Sequence, residues 1–380
     1  MTSSLSSRRA FVAMLACLPV AARAVAAPPV RDIREFGGKS DPARDQQAAL
    51  QSALDWCSQA KGVLRLEKGG TYCHSGMLAL DGGAIEGSGA TLKALDPNNG
   101  RLRVTGSGAR ISDLTLASPA TKRIQAYSGF GLLVQSAHGF TLSNVTVRGA
   151  ATAGIALDDA HGGTLRHILV RDTMADGLHI TNGSSDIAVS GYQAINTGDD
   201  GFAVVSYDRP NQKGRRCSNI RASGLTITDG HARGVAVVGG ADVTVSDVRV
   251  VRSACAGLYL NSERSYGTFG NARITARRVQ LVDCVTRKGI NQGAVHIQGR
   301  PDCSVQRAGA DAIACSTQGV TVSELEIDGL GPGARAGVVA AGSVRDVRVS
   351  GRRGGGKWSR PAAVVDPGVR DPGAVSLKVS

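Results

Sequence analysis

Gly177-Leu178-His179-Ile180 and Gly201-Phe202-Ala203-Val204 decide the fold, because the same phrase recurs along the chain. It is first met as Gly131-Leu132-Leu133-Val134 and Gly154-Ile155-Ala156-Leu157. It returns as Gly234-Val235-Ala236-Val237 and Gly257-Leu258-Tyr259-Leu260, then at Gly293 and Gly337. The steps between these glycines are 23, 23, 24, 33, 23, 36 and 44 residues. Between them lies a second strand with its own opening residue, as in Asn144-Val145-Thr146-Val147, Asp186-Ile187-Ala188-Val189, Asn219-Ile220-Arg221-Ala222 and Asp242-Val243-Thr244-Val245. A period near 23 with short β-branched strands is one coil of a β-solenoid. A single coil cannot bury its inner face, so stacking must supply the core. The longer steps place insertions near 207–217, 263–271 and 299–317. The strict leucine and asparagine pattern of leucine-rich repeats is absent, and propeller blades would be longer.

Composition agrees. The 380 residues include 50 glycines but only six phenylalanines, six tyrosines and two tryptophans. Small branched residues and tight corners suit thin stacked strands. Residues 28–75 read as an N-terminal cap. Asp32-Ile33-Arg34-Glu35-Phe36-Gly37-Gly38 gives a short strand and turn. A helix spans Asp45 to Ala60, with Ala48, Leu50, Ala53, Leu54 and Cys57 on one face and Gly62 at its end, and Val63-Leu64-Arg65-Leu66 returns as a strand. The β-helix is expected over residues 76–350. The Gly-, Pro- and Arg-rich residues 351–380 read as a loose tail or a cap wrapping back.

Residues 1–27 read as a signal peptide. Ser7-Arg8-Arg9-Ala10-Phe11-Val12 precedes an apolar run too short to span a bilayer, and Ala24-Val25-Ala26 offers a cleavage site. The paired arginines point to the twin-arginine (Tat) export machinery and a periplasmic or extracellular location, without stable membrane insertion. Loss of three arginines takes the net charge from +13 to +10. An exported basic chain suits an acidic polysaccharide or anionic surface rather than nucleic acid. Seven cysteines remain after cleavage, in no zinc or redox spacing. Cys303–Cys315 would staple an insertion and Cys57–Cys73 the cap, or several are simply buried thiols.

Equivalent positions on neighbouring coils stack about 4.8 Å apart. The residue before each glycine therefore forms a column: Phe130, Ala153, Asp176, Asp200, Arg233, Ala256, Gln292, Ala336. Asp199 adds a carboxylate beside Asp200. Two places after the glycine lie His179, Ala203, Ala236 and Tyr259, and four places after lie Thr181, Val205, Val238 and Asn261, all expected on one open patch. Clustered carboxylates repel, so one pKa should rise and leave an acid and a base together, as acetal cleavage requires. Arg233 could hold a sugar carboxylate or keep one aspartate ionised, and Tyr259 could stack on a sugar ring or only pack on its neighbours. Asp-Gly is also a common turn dipeptide, and His231, in Asp229-Gly230-His231-Ala232, could be an ordinary loop residue.

At these residues the chain resembles the pectin-lyase-like superfamily, and within it the polygalacturonase-type glycoside hydrolases. Asn196-Thr197-Gly198-Asp199-Asp200-Gly201 is similar to the hydrolases' paired-aspartate motif, and Asp176-Gly177 falls where their Asn-Thr-Asp-Gly motif would stand. The resemblance implies an all-β, single-stranded right-handed parallel β-helix with an N-terminal capping helix. It implies Asp200 as general acid, Asp176 and Asp199 as the groups that position and deprotonate water, and inversion at the anomeric carbon. Met174-Ala175 replaces the Asn-Thr pair. The family's catalytic-site histidine would fall at Arg233, with His231 two residues off, and its basic Arg-x-Lys grip would fall at Tyr259 and Asn261. Segments ending in Tyr207 and Glu263 resemble a wider set of secreted β-helix proteins. The expected substrate contacts are therefore Arg233, His231, His179, Tyr259, Asn261, Glu263 and Tyr207.

Three functions compete: an inverting glycoside hydrolase on an acidic, plant or bacterial polysaccharide; a lyase holding Ca²⁺ on the three aspartates with Arg233 as base; and a polysaccharide-binding protein without activity. No nucleotide cofactor is expected, because no glycine-rich phosphate cradle joins a strand to a helix, and the first reading calls for no resident metal or other cofactor. A monomer is expected.

Overall fold

The computed structural model describes residues 27–208, 214–300, 315–356, 358–369 and 372–380. Two long, wholly parallel sheets run the length of the molecule, one of 15 strands and one of 11. The chain is a right-handed parallel β-helix. The expected export signal falls on residues 1–27, of which 1–26 lie outside the described residues. No described helix is long and apolar enough to cross a membrane.

The recurring glycines stand where the reading placed them. Leu132, Ile155, Leu178, Phe202, Val235 and Leu258 are cross-strand partners in succession, so the glycines before them from Gly131 to Gly257 form one column. Each has a neighbouring coil where a side chain would go. A Cβ on Gly234 would meet the Gly257 carbonyl at 2.5 Å and Val250 Cγ1 at 2.5 Å. The column then departs from expectation. Leu258 pairs with Val295, so Ala294 takes the glycine's place and Gly293, not Gln292, continues the column of Asp176, Asp200 and Arg233. Gln292 instead turns its side chain to the Ala256 backbone N–H, 3.0 Å away.

Corners are made by short polar residues in the left-handed region, which a side chain such as Asn or Asp enters at least cost. Asp172, Asn196, Asp229 and Arg252 stack this way with φ of 53–57°. A second corner stacks Asp186, Asn219, Asp242 and Arg273. Asn144 belongs to neither. It stacks with Asp113 and His167 at a third corner, in the middle of the longer strands, so it does not open the same strand as Asp186. Inside the corners the core is a run of buried Leu, Ile and Val from every coil.

The cap helix spans Gln47–Ala60, with Leu50, Ala53, Leu54 and Cys57 buried against the first coils. It begins two residues later than expected, and Lys61 rather than Gly62 takes the left-handed cap. Gly62 serves packing instead, since a Cβ there would stand 2.5 Å from the Trp56 ring. Cys57 and Cys73 are free buried thiols and form no disulfide. Their sulfurs face different carbonyls, those of Ala84 and Pro42. Cys315 is disulfide-bonded, while its expected partner Cys303 lies outside the described residues. Residues 351–380 contribute strands Ala363–Val365 and Val375–Val379, which extend the two sheets.

Candidate active site

Asp176, Asp199 and Asp200 come together on adjacent coils, each offering an oxygen within 4.8 Å of the others. Backbone and side chain interlock to hold them. The Asp200 N–H donates to Asp176 Oδ1 at 3.0 Å, and the Arg233 N–H donates to Asp200 Oδ1 at 2.9 Å. Asp176 and Asp200 are thus each oriented by an amide of the next coil, as stacked turns allow. Asp200 is buried, while Asp176 and Asp199 are partly exposed.

The electrostatics separate the three acids. Burial pushes the Asp200 carboxyl up to about 8; Arg233 opposes this, and the charges of Asp176 and Asp199 add to it. Its surroundings thus favour the protonated form of Asp200. His179 Nδ1 lies 2.5 Å from Asp176 Oδ2. Burial works against its charged form, but the bond to Asp176 and the three nearby carboxylates win and raise its pKa. Arg123 Nη1 donates to Asp199 Oδ2 at 2.7 Å. A buried carboxyl and two partly exposed carboxylates, one bonded to His179 and one to Arg123, share one edge of the fold.

Arg123 was missed in the sequence. It lies in a loop that lengthens the step between Asp113 and Asn144 to 31 residues, and that step is the signal that could have shown it. The same loop walls a cleft of about 240 Å³ next to Asp176 and His179, whose floor includes Thr152, Asp158 and Thr181. Tyr207 lies on its border, and its backbone bridges to Thr268.

The other expected contacts are placed differently. Arg233 reaches Asp200 Oδ1 at 3.6 Å and Glu263 Oε1 at 2.7 Å. Tyr259 donates to the same Glu263 oxygen at 3.0 Å, and Asn261 Nδ2 donates to the Tyr259 hydroxyl. Tyr259 is 4% exposed and both ring faces are taken, by the Arg233 guanidinium at 4.3 Å and the stacked His296 ring at 5.7 Å. Tyr259 and Asn261 thus do not line an open groove. Tyr259 joins Ala203, Val205, Ala236, Val238 and Ala256 in a small buried cluster packed against Tyr207, and Asn261 is buried too. His231 is exposed at the corner, with Nε2 3.1 Å from Asn196 Oδ1. The open surface lies on the N-terminal side of the aspartates, where the half-exposed Tyr127 offers an aromatic face that Tyr259 does not.

Residues 75–262 match Glycosyl hydrolases family 28. No curated protein matches the chain. Among solved structures, the Agl-KA catalytic domain is similar at 16% identity and a TM-score of 0.69, covering 94% of this chain and 69% of that one. The A-module of the Azotobacter vinelandii mannuronan C-5 epimerase AlgE4 is similar at 16% identity and a TM-score of 0.55, covering 92% and 97%. The catalytic unit of the GH87 alpha-1,3-glucanase from Streptomyces thermodiastaticus is similar at 17% identity and a TM-score of 0.57, covering 95% and 69%. By its repeats, its register and these likenesses, the chain has the fold of a right-handed parallel β-helix, and over residues 75–262 it is similar to the family 28 glycosyl hydrolases.

Proposed function

We propose that this protein is a glycoside hydrolase that cleaves a polysaccharide outside the cytoplasm, after export. The observation that carries the reading is the buried Asp200 within 4.8 Å of two carboxylates, one bonded to His179 and the other to Arg123, in a setting that favours the protonated form of Asp200. Asp200 gives its proton to the departing glycosidic oxygen. Asp176 or Asp199 accepts the proton of the attacking water. Water-trapping carboxyl pairs stand about 6.5–9.5 Å apart and directly attacking pairs about 5–5.5 Å. Inversion therefore rests on the family resemblance and not on the spacing; net retention in the first product would reassign Asp176 or Asp199 as the nucleophile. The test is a polysaccharide screen with the purified protein, following new reducing ends and ultraviolet absorbance together. Reducing ends without an unsaturated product, lost in Asp200→Asn, support the reading. Reducing ends that persist in Asp200→Asn refute the assigned acid.

One observation favours a second reading, a lyase. The three carboxylate oxygens are close enough to share one Ca²⁺. Arg233, the base such a scheme needs, is instead tied to Glu263 at 2.7 Å. Burial opposes its charge, but Asp200 and Glu263 outweigh this and hold its pKa above the ordinary arginine value. A calcium-dependent, ultraviolet-absorbing product would establish the lyase over the hydrolase.

A further inference from the structure

The cleft beside Asp176 does not share the basic excess of the whole chain. Asp158 is buried on its floor, with Oδ2 accepting from Gln135 Nε2 at 2.9 Å and Oδ1 from Asn182 Nδ2 at 2.7 Å. No cation pairs with Asp158 among the described residues. Arg123, at the cleft wall, is spent on Asp199, and His179 on Asp176. Three polar atoms at the cleft have no partner: Thr152 Oγ1, Thr181 Oγ1 and Asn182 Oδ1. Thr152 and Thr181 are each 7% exposed. Thr181 follows Asp158 in the same outward-facing column, one coil along. A buried hydroxyl without a partner costs about as much as a lost hydrogen bond, so such groups ordinarily find one.

We propose that Tyr127, Thr152, Asp158, Thr181 and Asn182 form a subsite for an uncharged, hydroxyl-rich sugar unit. The inference rests on the polysaccharide reading above and narrows its substrate class. A neutral sugar supplies ring hydroxyls that donate to Asp158 and Asn182 Oδ1 and exchange hydrogen bonds with the two threonines. Its apolar face lies on the exposed Tyr127 ring. A uronate in this position would set its carboxylate beside Asp158 and Asp176 with no described cation left to answer it. The overall charge points to an acidic polymer, but the basic groups that line the cleft, Arg123 and His179, already face aspartates and leave Asp158 unanswered.

The test is calorimetric binding to the Asp200→Asn protein, which holds ligand without cutting it. The probes are tetrasaccharides of α- and β-linked glucose, β-linked galactose, and oligogalacturonate. At least one neutral tetrasaccharide should bind, more tightly than oligogalacturonate. Thr181→Val and Thr152→Val should each weaken that binding roughly fivefold to tenfold. Because neither hydroxyl has a partner to lose, both variants should melt no lower than their parent, which separates recognition from folding. Preference for oligogalacturonate, binding of no probe, or unchanged affinity in both valine variants overturns the subsite. The two proposals fail apart. Neutral-sugar binding by the Asp200→Asn protein, without reducing-end release by the unsubstituted protein, sinks the hydrolase and keeps the subsite. Cleavage of uronates alone does the reverse.

Discussion

Asp200 couples catalysis and stability through a single proton. Its carboxyl is raised from 3.8 to about 8, so the folded state binds a proton that the unfolded chain has released. That contribution is complete below pH 3.8 and is lost as pH rises through about 8. Asp200→Asn should therefore flatten the fall in melting temperature between pH 4 and pH 8, measured by differential scanning calorimetry. The same substitution should lower kcat roughly 10²–10⁴-fold, and activity of the unsubstituted protein should decline as pH passes about 8. Arg123→Ala separates the two effects. Its pair with Asp199 is partly solvated, so unfolding in urea should shift by less than about 1 kcal/mol. Activity should nevertheless drop, because Asp199 loses its cation. The aspartates could be read from sequence because they sit next to the repeating glycine. Arg123 could not, since a loop residue obeys no period. The fate of Tyr259 was equally hidden: the pattern gives the face on which a side chain emerges and says nothing of the loop that folds over it.

Strands and corners were legible wherever neighbouring coils demand the same residue type. The Gly131-to-Gly257 column was found because each glycine faces a carbonyl or a methyl of the next coil. At Ala294 the column holds an alanine in the glycine's place, and there the reading slips by one residue. Gly234→Ala should test how hard that demand is. Its Cβ would stand 2.5 Å from two neighbours, and overpacking of this kind costs about 1–3 kcal/mol in chemical denaturation. At the corners the demand falls on the backbone. Asn196 has φ 53° and donates to Asp172 Oδ1 at 2.8 Å. Asn196→Val should cost about 1–3 kcal/mol through strain, and Asn196→Gly less.

For the whole molecule, stacking makes stability a property of neighbours, and the ends the weak point. The cap helix covers the first open edge through Leu50 and Leu54. Leu54→Ala should cost about 2–5 kcal/mol and expose strand edge to self-association, visible by light scattering in mild denaturant.

Phe130 and Ala153 occupy the same station on successive turns, as do Gly131 and Gly154. Excising 131–153 would thus splice Phe130 onto Gly154 without rotating any later side chain, and leave the acids at 176, 199 and 200 in phase. The groove would be one rung shorter, by about 4.8 Å. Reach along a polymer is in this architecture an integer, adjustable by whole turns while the cutting chemistry stays where it is.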